Sequence, residues 1–331
     1  MADGRKTDPP ASLTFASLVS RDLVRIALLV AALNDLTVLA CDIQGAYLNA
    51  NCRERIYTIA GPEFGSEQGS VMIVKKALYG LKTSGAAFRS MMAATLHEMH
   101  YMPTKADPDV WLRPAVAPDG AEYYEMVLCY TDDILSVSKE PKKTMIELQR
   151  TFKLKGDKME RPETYLGAQL DTMVIDGVEC WTMSAEKYVK SAVDNVETTL
   201  AKSGNRLPSK CHTPFSSNYK PELDTTAELK ADGVQYYQEL VGILRWAVEI
   251  GRVDILLETS LMSFHLALPR IGHLKQLYHM FGYLKIYPKR KLAFDPTHPK
   301  IDERIFVELD WTDFYRDAKE DIPSDMVIKS S

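Results

Sequence analysis

Apolar positions recur along this chain in two different periods. In "EMVLCYTDDILSVS", Glu125 to Ser138, the runs "MVLCY" and "ILSVS" flank a Tyr-Thr-Asp-Asp step, the pattern of two strands joined by a tight turn. Thr37 to Ile43 is β-branched and apolar enough for a buried strand ending at or near Asp42. "VMIVKKALYGLKTSG" predicts a strand, a glycine-bearing turn and a helix entry, and "AAFRSMMAATLHEMH" continues that helix. Leu23 to Leu36 suits a buried helix broken at Asn34 and Asp35.

Gly61 to Ser70 is a loop by composition, and Pro103 to Pro108 is a break. Lys142 to Phe152 predicts a helix, and "TYLGAQL" a short strand. Trp181 to Leu200, Gln235 to Glu258 and His273 to Lys285 have helical patterns. Between the first two, "SGNRLPSKCHTPFSSNYKPELD" is long and rich in Pro, Ser and Asn, which makes it the best linker candidate. "YPKRKLAFDP" suits a basic, hairpin-like connection. There is no internal repeat. Helices alternating with hairpins imply an α+β fold, with one mainly antiparallel sheet in a first domain ending near residue 175.

Composition narrows this picture modestly. With 331 residues, 46% hydrophobic and 26% charged, the chain is ordinary for a globular protein large enough for two cores. Its cysteines, Cys41, Cys52, Cys129, Cys180 and Cys211, show no zinc spacing or disulfide framework, which suits a reducing compartment. The longest apolar stretch, Leu23 to Leu33, is too short to span a bilayer and contains Arg25, so no membrane association is expected. "MADGRKTDPP" lacks a signal-peptide pattern, and no secretion is expected.

A net charge of −5 and a pI near 5.9 do not advertise a nucleic-acid binder. Locally the balance differs. Val71 to Ser90 holds Lys75, Lys76, Lys82 and Arg89 with no acidic residue, and Lys139 to Lys158 holds seven basic residues against three acidic. Each run taken alone reads first as a solvated helix face.

Asp132 and Asp133 are good turn formers, and on that ground alone form a plain hairpin turn. Their flanks argue for more, because carboxylates leaving a sheet interior need a positive compensator. Asp42 closes "TVLACD", and an antiparallel neighbour brings it beside Asp132. Three such carboxylates suit Mg²⁺, which prefers oxygen ligands and takes others from substrate phosphates. Two ions activate an attacking hydroxyl and stabilise a leaving oxygen at phosphorus. Tyr47, past the strand end, is placed either to close the floor of a nucleotide pocket or to pack as an ordinary aromatic.

"CDIQGAYLNA", "VKKALYGLKTSGAAF", "DPDVWLR", "LCYTDDIL" and "YLGAQL", in this order, resemble the reverse transcriptase region of copia-type long-terminal-repeat retrotransposon polyproteins (Pseudoviridae). The resemblance implies an RNA-directed DNA polymerase joining dNTPs to a primer 3′-hydroxyl on an RNA or DNA template. Its fold would be a palm with an antiparallel sheet and packed helices. Asp42, Asp132 and Asp133 would be the catalytic, metal-holding carboxylates, with two Mg²⁺ ions or Mn²⁺ in their place.

By the same resemblance Tyr47, Tyr79, Gly80 and Lys82 would bind the nucleotide, Tyr47 discriminating against ribonucleotides. Tyr130, Thr131, Tyr165, Leu166 and Gly167 would contact the primer, and Lys153 or Lys155 would fall at a fourth motif. Thr131 departs mildly from the family's usual valine. Residues 1–13 are expected to be a disordered leader, 14–176 partial fingers plus palm, 177–305 a thumb or connection region, and 306–331 a truncated start of a ribonuclease H-like region, with Asp310 near its first aspartate. Incomplete fingers leave a catalytically inactive remnant as an alternative, and a nucleotide cyclase is a more distant one. Other parts of a polyprotein are expected partners. The expected location is cytoplasmic, in a virus-like particle, or nuclear.

Overall fold

The computed structural model describes Thr7, Pro9, Pro10 and residues 14–297. In chain order its elements are α1 (Arg21–Leu33), β1 (Thr37–Asp42), α2 (Ala46–Asn49), β2 (Tyr57–Ile59), β3 (Val71–Ile73), α3 (Ser84–Glu98), β4 (Met102–Pro103), β5 (Val110–Val116), β6 (Glu122–Tyr130) and β7 (Asp133–Ser138). There follow α4 (Pro141–Gln149), β8 (Thr164–Tyr165), β9 (Ala168–Ile175), β10 (Val178–Ser184), α5 (Glu186–Ala201), α6 (Ala231–Glu249), α7 (Leu256–Ser263), α8 (Ile271–Ile286) and β11 (Lys291–Phe294).

Local chemistry sets many of these bounds. The Ser20 hydroxyl accepts the Leu23 amide to start α1, and the Asn34 side chain donates to the Val30 carbonyl at its end. Asp35, at φ 50°, then turns the chain into β1. Pro141, with no amide hydrogen to lose, opens α4.

One five-stranded antiparallel sheet, ordered β1-β7-β6-β5-β4, carries the centre of the molecule. Its period-two alternation feeds two cores. Val38, Leu128, Leu135 and Val137 belong to a core shared with α1, β9, β10, α5, α6 and α8. Leu39, Cys41, Val127, Cys129 and Ile134 belong to the other, with α3 and α4. Each of these buried aliphatic side chains contributes about 1.5–3 kcal/mol by leaving water. A second sheet, β11-β10-β9-β8, and the separate β2-β3 pair hold the other strands of the described residues. The α+β expectation, with helices packed on a mainly antiparallel sheet, agrees with this architecture.

Several expectations are corrected. Trp181 to Ser184 is not the start of a helix but the end of β10, held between β9 and β11, and the helix begins at Glu186. "YPKRKLAFDP" supplies β11, which adds an edge to that sheet. Gln235 to Glu258 is not one helix: Gly251, at φ 128° and where a Cβ would crowd the Met183 carbonyl, ends α6 before α7 starts. Val110 to Val116, read merely as part of a motif, is a full strand, and Pro62 to Glu67 inside the predicted loop forms a short 3₁₀ turn.

The proposed linker is packed rather than free, since Leu207 and Cys211 are buried in the larger core beside Gly282 of α8. Most of the predicted leader, and Asp310 with the 306–331 region, lie outside the described residues. No helix among the described residues is long and apolar enough to cross a membrane.

Candidate catalytic carboxylate site

β6 and β7 pair as far as Tyr130 opposite Asp133, which leaves Thr131 and Asp132 as a two-residue turn. Thr131 sits at φ 53°, a left-handed conformation that a β-branched residue seldom adopts. On the other side of β7, β1 runs in register from Thr37 opposite Ser138 to Asp42 opposite Asp133. The residue facing Asp42 is therefore Asp133, not Asp132 as expected. The Ile43 amide donates to the Asp132 carbonyl at 2.9 Å, tying the exit of β1 to the turn. All three carboxylates are partly exposed.

Of Lys153 and Lys155, only the second reaches the carboxylates through its side chain. The Gln44 amide donates to the Lys153 carbonyl, and Ile43 bridges Leu154, so this segment runs along the end of β1. Lys155 follows, and its Nζ donates to Asp42 Oδ2 at 2.9 Å. Neither pattern nor spacing distinguished it, because the approach depends on a non-local bridge.

Electrostatics bear the mark of crowded negative charge. Burial, then Asp132, then Asp42 push the Asp133 carboxyl up from its ordinary value, and Lys155 offsets part of this. The Cys41 thiol is pushed up to about 12 by burial, Asp42 and Asp133. The Lys155 ammonium is held above its ordinary range chiefly by its bond to Asp42. Asp42, Asp133, Lys155 and Tyr165 line one open cleft of about 460 Å³.

The donors around the turn are carboxylate oxygens, the ligand type that hard divalent ions prefer. Among the described residues no three His, Cys, Asp or Glu side chains are gathered closely enough to hold a metal ion by themselves.

The aromatic residues divide into two groups. Tyr47 lies against Tyr79, ring centroids 4.4 Å apart, with Phe88 behind it. Tyr79 is exposed, and burial, Asp132 and Tyr47 raise its hydroxyl above the usual range, which places it in the field of the carboxylates. Gly80, at φ 98°, makes the turn after it. Lys82 is not drawn into this group: its Nζ donates to the Thr7 carbonyl at 2.9 Å.

Tyr165 is buried, and its hydroxyl donates to the Asp133 carbonyl at 3.4 Å. This bond ties its side chain to the carboxylate turn. Leu166 and Gly167, at φ 49° and 84°, form the hairpin tip, with Trp246 of α6 close to Gly167.

Two aspartates in "DPDVWLR" were assigned no part. Asp107 accepts the Ser20 and Asp109 amides at 3.0 and 2.9 Å. Asp109 accepts Arg89 Nε at 2.8 Å, and its carbonyl accepts the Cys129 amide. Together they stitch the start of α1 and the middle of α3 to the strand that leads into the turn. An Asp-x-Asp pair just before a strand, able to bond nearby amides, was the available signal.

The family described as reverse transcriptase (RNA-dependent DNA polymerase) matches residues 10–209, more than half of the chain. The putative transposon Ty5-1 protein of Saccharomyces cerevisiae is 26% identical over 248 residues, covering 73% of this chain and 74% of that protein. The retrovirus-related Pol polyprotein from transposon TNT 1-94 of Nicotiana tabacum is 26% identical over 86% of this chain, and that from transposon RE1 of Arabidopsis thaliana 24% identical over 90%. The chain spans 21% and 19% of the length of those two polyproteins.

Proposed function

This chain belongs to the reverse transcriptase (RNA-dependent DNA polymerase) family, of the copia-type retrotransposon kind, and on that premise we propose that it extends a primer 3′-hydroxyl with dNTPs at Asp42, Asp132 and Asp133. The observation that carries this reading is the register that puts Asp42 opposite Asp133, with Asp132 next to it at the turn. The five-stranded sheet with α3 and α4 serves as palm, β2 and β3 as part of the fingers, and α6 to α8 as thumb or connection. Residues 14–176 form the first functional region and 177–305 the second.

Most of the catalysis assigned to these residues is positioning. The Thr131-Asp132 turn and the Leu166-Gly167 tip hold the primer end, while Tyr165 fixes the turn by its bond to the Asp133 carbonyl. Tyr47, braced on Tyr79, floors the sugar pocket and excludes a 2′-hydroxyl. Lys155 relieves the mutual repulsion of the carboxylates through Asp42. Asp42, Asp132 and Asp133 would hold Mg²⁺ or Mn²⁺, which would supply charge neutralisation for the reacting oxygens.

The substrates are an RNA or DNA template-primer and dNTP, so activity should fall steeply with salt. Other segments of a polyprotein are the proposed partners, as the short coverage of the plant relatives suggests. Primer extension on poly(rA)/oligo(dT) is the test. Incorporation that vanishes in Asp132→Asn supports the reading. No incorporation at high protein concentration favours a non-catalytic remnant.

A further inference from the structure

α7 is apolar on two opposite faces. Inward, Ile255 and Met262 lie in the larger core, and Thr259 is buried too. Outward, Leu257, Leu261 and Phe264 follow at the helical spacing i, i+4, i+7, with Val253 in the 3₁₀ turn before the helix and Leu268 in the bend after it. Leu257 is 66% exposed, Phe264 79% and Leu268 69%, and Val253, Leu256 and Leu261 are exposed as well. A helix apolar all round is ordinarily covered all round. Among the described residues only one side of α7 is covered.

This exposure is not that of a frayed end. The Tyr237 hydroxyl donates to the Met262 carbonyl at 2.8 Å, Gln238 Nε2 to the Leu266 carbonyl at 2.9 Å, and the Leu229 amide to the Pro269 carbonyl at 2.9 Å. The face is therefore preformed, and a partner would lose little in ordering it. Its chemistry narrows the partner. Val253 to Pro269 contains no Lys or Arg, and its two acids are Asp254, bonded to Arg252, and Glu258. Nucleic acid and anionic lipid both recruit basic side chains, so the face suits protein.

The spacing of the outward positions points to one particular protein. They are symmetric about the point between Ser260 and Leu261: 253 mirrors 268, and 257 mirrors 264. Two copies of α7 crossing antiparallel on a two-fold axis at that point bring Leu257 of each against Phe264 of the other, and Val253 against Leu268. Glu258 then falls opposite Ser263, so no like charges meet. A two-fold contact requires such self-complementarity. With side chains of roughly 150–200 Å² apiece, the patch offers on the order of 600 Å², the upper end of what a monomer exposes. That is most of the ~800 Å² each partner gives to a standard interface.

We propose that the outer face of α7 is a homodimer interface, covered by the α7 of a second copy of this chain across a two-fold axis between Ser260 and Leu261. Nothing in the proposed polymerase chemistry uses this face, and the pairing needs no nucleotide or metal, so the two readings fail separately. The modest area gives a dissociation constant in the micromolar range.

The test is sedimentation equilibrium of the full chain from about 1 to 100 μM, a range that brackets such a constant. Wild type should pass from monomer to dimer. Leu257→Lys and Phe264→Glu should each weaken association by about tenfold or more, because each buries an unpaired charge at the contact. An equimolar mixture of the two variants should associate again, since the introduced ammonium meets the introduced carboxylate across the axis. Both positions are exposed, and unchanged urea midpoints verify the fold. Hydrogen exchange of the wild-type chain at the two ends of the concentration range should show residues 256–268 slowed in the concentrated sample, which decides the matter even if a variant misfolds. A chain that stays monomeric overturns the proposal and gives the face to a different protein segment. Association untouched by either folded variant, a mixture no better than its components, or exchange at 256–268 that ignores concentration overturns it equally.

Discussion

Asp42 and Asp133 stand directly opposite each other on antiparallel strands, two carboxylates in register at the open end of a sheet. Like charges so placed oppose folding unless a cation joins them. Lys155 meets part of that need from one side, through Asp42. In the proposed reaction this negative charge would receive an ion that arrives with a phosphate-bearing substrate.

Tyr47 is held on Tyr79 at a centroid distance of 4.4 Å, so its ring is fixed where a sugar would lie in the proposed reaction. Tyr47→Val removes the floor without touching a carboxylate. Incorporation of UTP relative to dTTP should rise at least about tenfold, within the range that one steric contact controls. Single-nucleotide extension with each substrate measures the ratio, and an unchanged ratio removes Tyr47 from that role.

Thr131 adopts a left-handed backbone that costs an L-residue about 1–2 kcal/mol. Asparagine tolerates this region better. Thr131→Asn should therefore stabilise the fold by about 1 kcal/mol, read as a higher urea midpoint with the slope unchanged. A lower midpoint would mean that the threonine side chain contributes more than its backbone strain costs.

The first of these side chains was recognisable from the sequence as a candidate, and the strain was not. The strand Thr37–Asp42 and the hairpin around Thr131 were legible because β-branched and apolar runs end at a turn signal. Their register was not, since the pairing of Asp42 with Asp133 depends on residues nearly a hundred positions apart. β10 was lost for a local reason: "ECWTMS" runs into the amphipathic pattern of α5 with no Gly or Pro between them, so two periods merge. The packing of residues 203–224 was hidden by their composition, because a loop rich in Pro and Ser reads as a linker whether or not it lies on a core. Asp107 and Asp109 were visible as letters, but their bonds to Ser20, Arg89 and Cys129 join segments that sequence spacing does not relate.

Gly282 tests that packed segment with a sign rather than a size. In an open helix, Gly→Ala stabilises by about 1 kcal/mol. Here a Cβ would lie 2.6 Å from the Pro208 carbonyl oxygen and 2.7 Å from Cys211 Sγ. Gly282→Ala should thus destabilise, by up to about 2 kcal/mol net, once about 1–3 kcal/mol of overpacking is set against the helix gain. Chemical denaturation that finds the variant more stable would show that the segment stands clear of α8.

Arg252 is fully buried and makes paired bonds to Asp254, at 2.8 and 2.9 Å, while Tyr283 donates to the same carboxylate. Burial pushes the Asp254 carboxyl up, but the bonds and charge of Arg252 and the Tyr283 hydroxyl outweigh it and hold the group below its ordinary value. The native state then binds fewer protons than the unfolded chain in acid. The stabilisation is complete above the ordinary carboxylate range and is lost as pH falls through that range toward the lowered value. Asp254→Asn should cost about 3 kcal/mol at neutral pH, because it leaves the Arg252 charge buried and unbalanced. Its stability should also decline less steeply than wild type below about pH 4. Urea midpoints between pH 3 and 7 check both, and parallel curves for the two proteins would refute the assignment.

The most direct test of the central claim is the single-turnover rate of the first dTMP added to a poly(rA)/oligo(dT) primer in Mg²⁺, for wild type and for Asp42→Asn with an unchanged unfolding midpoint. Several kcal/mol of transition-state stabilisation are assigned to this carboxylate and its partners, so the variant should be slower by about a thousandfold or more. A rate within tenfold of wild type, or a wild-type protein that adds no nucleotide at all, would contradict the account.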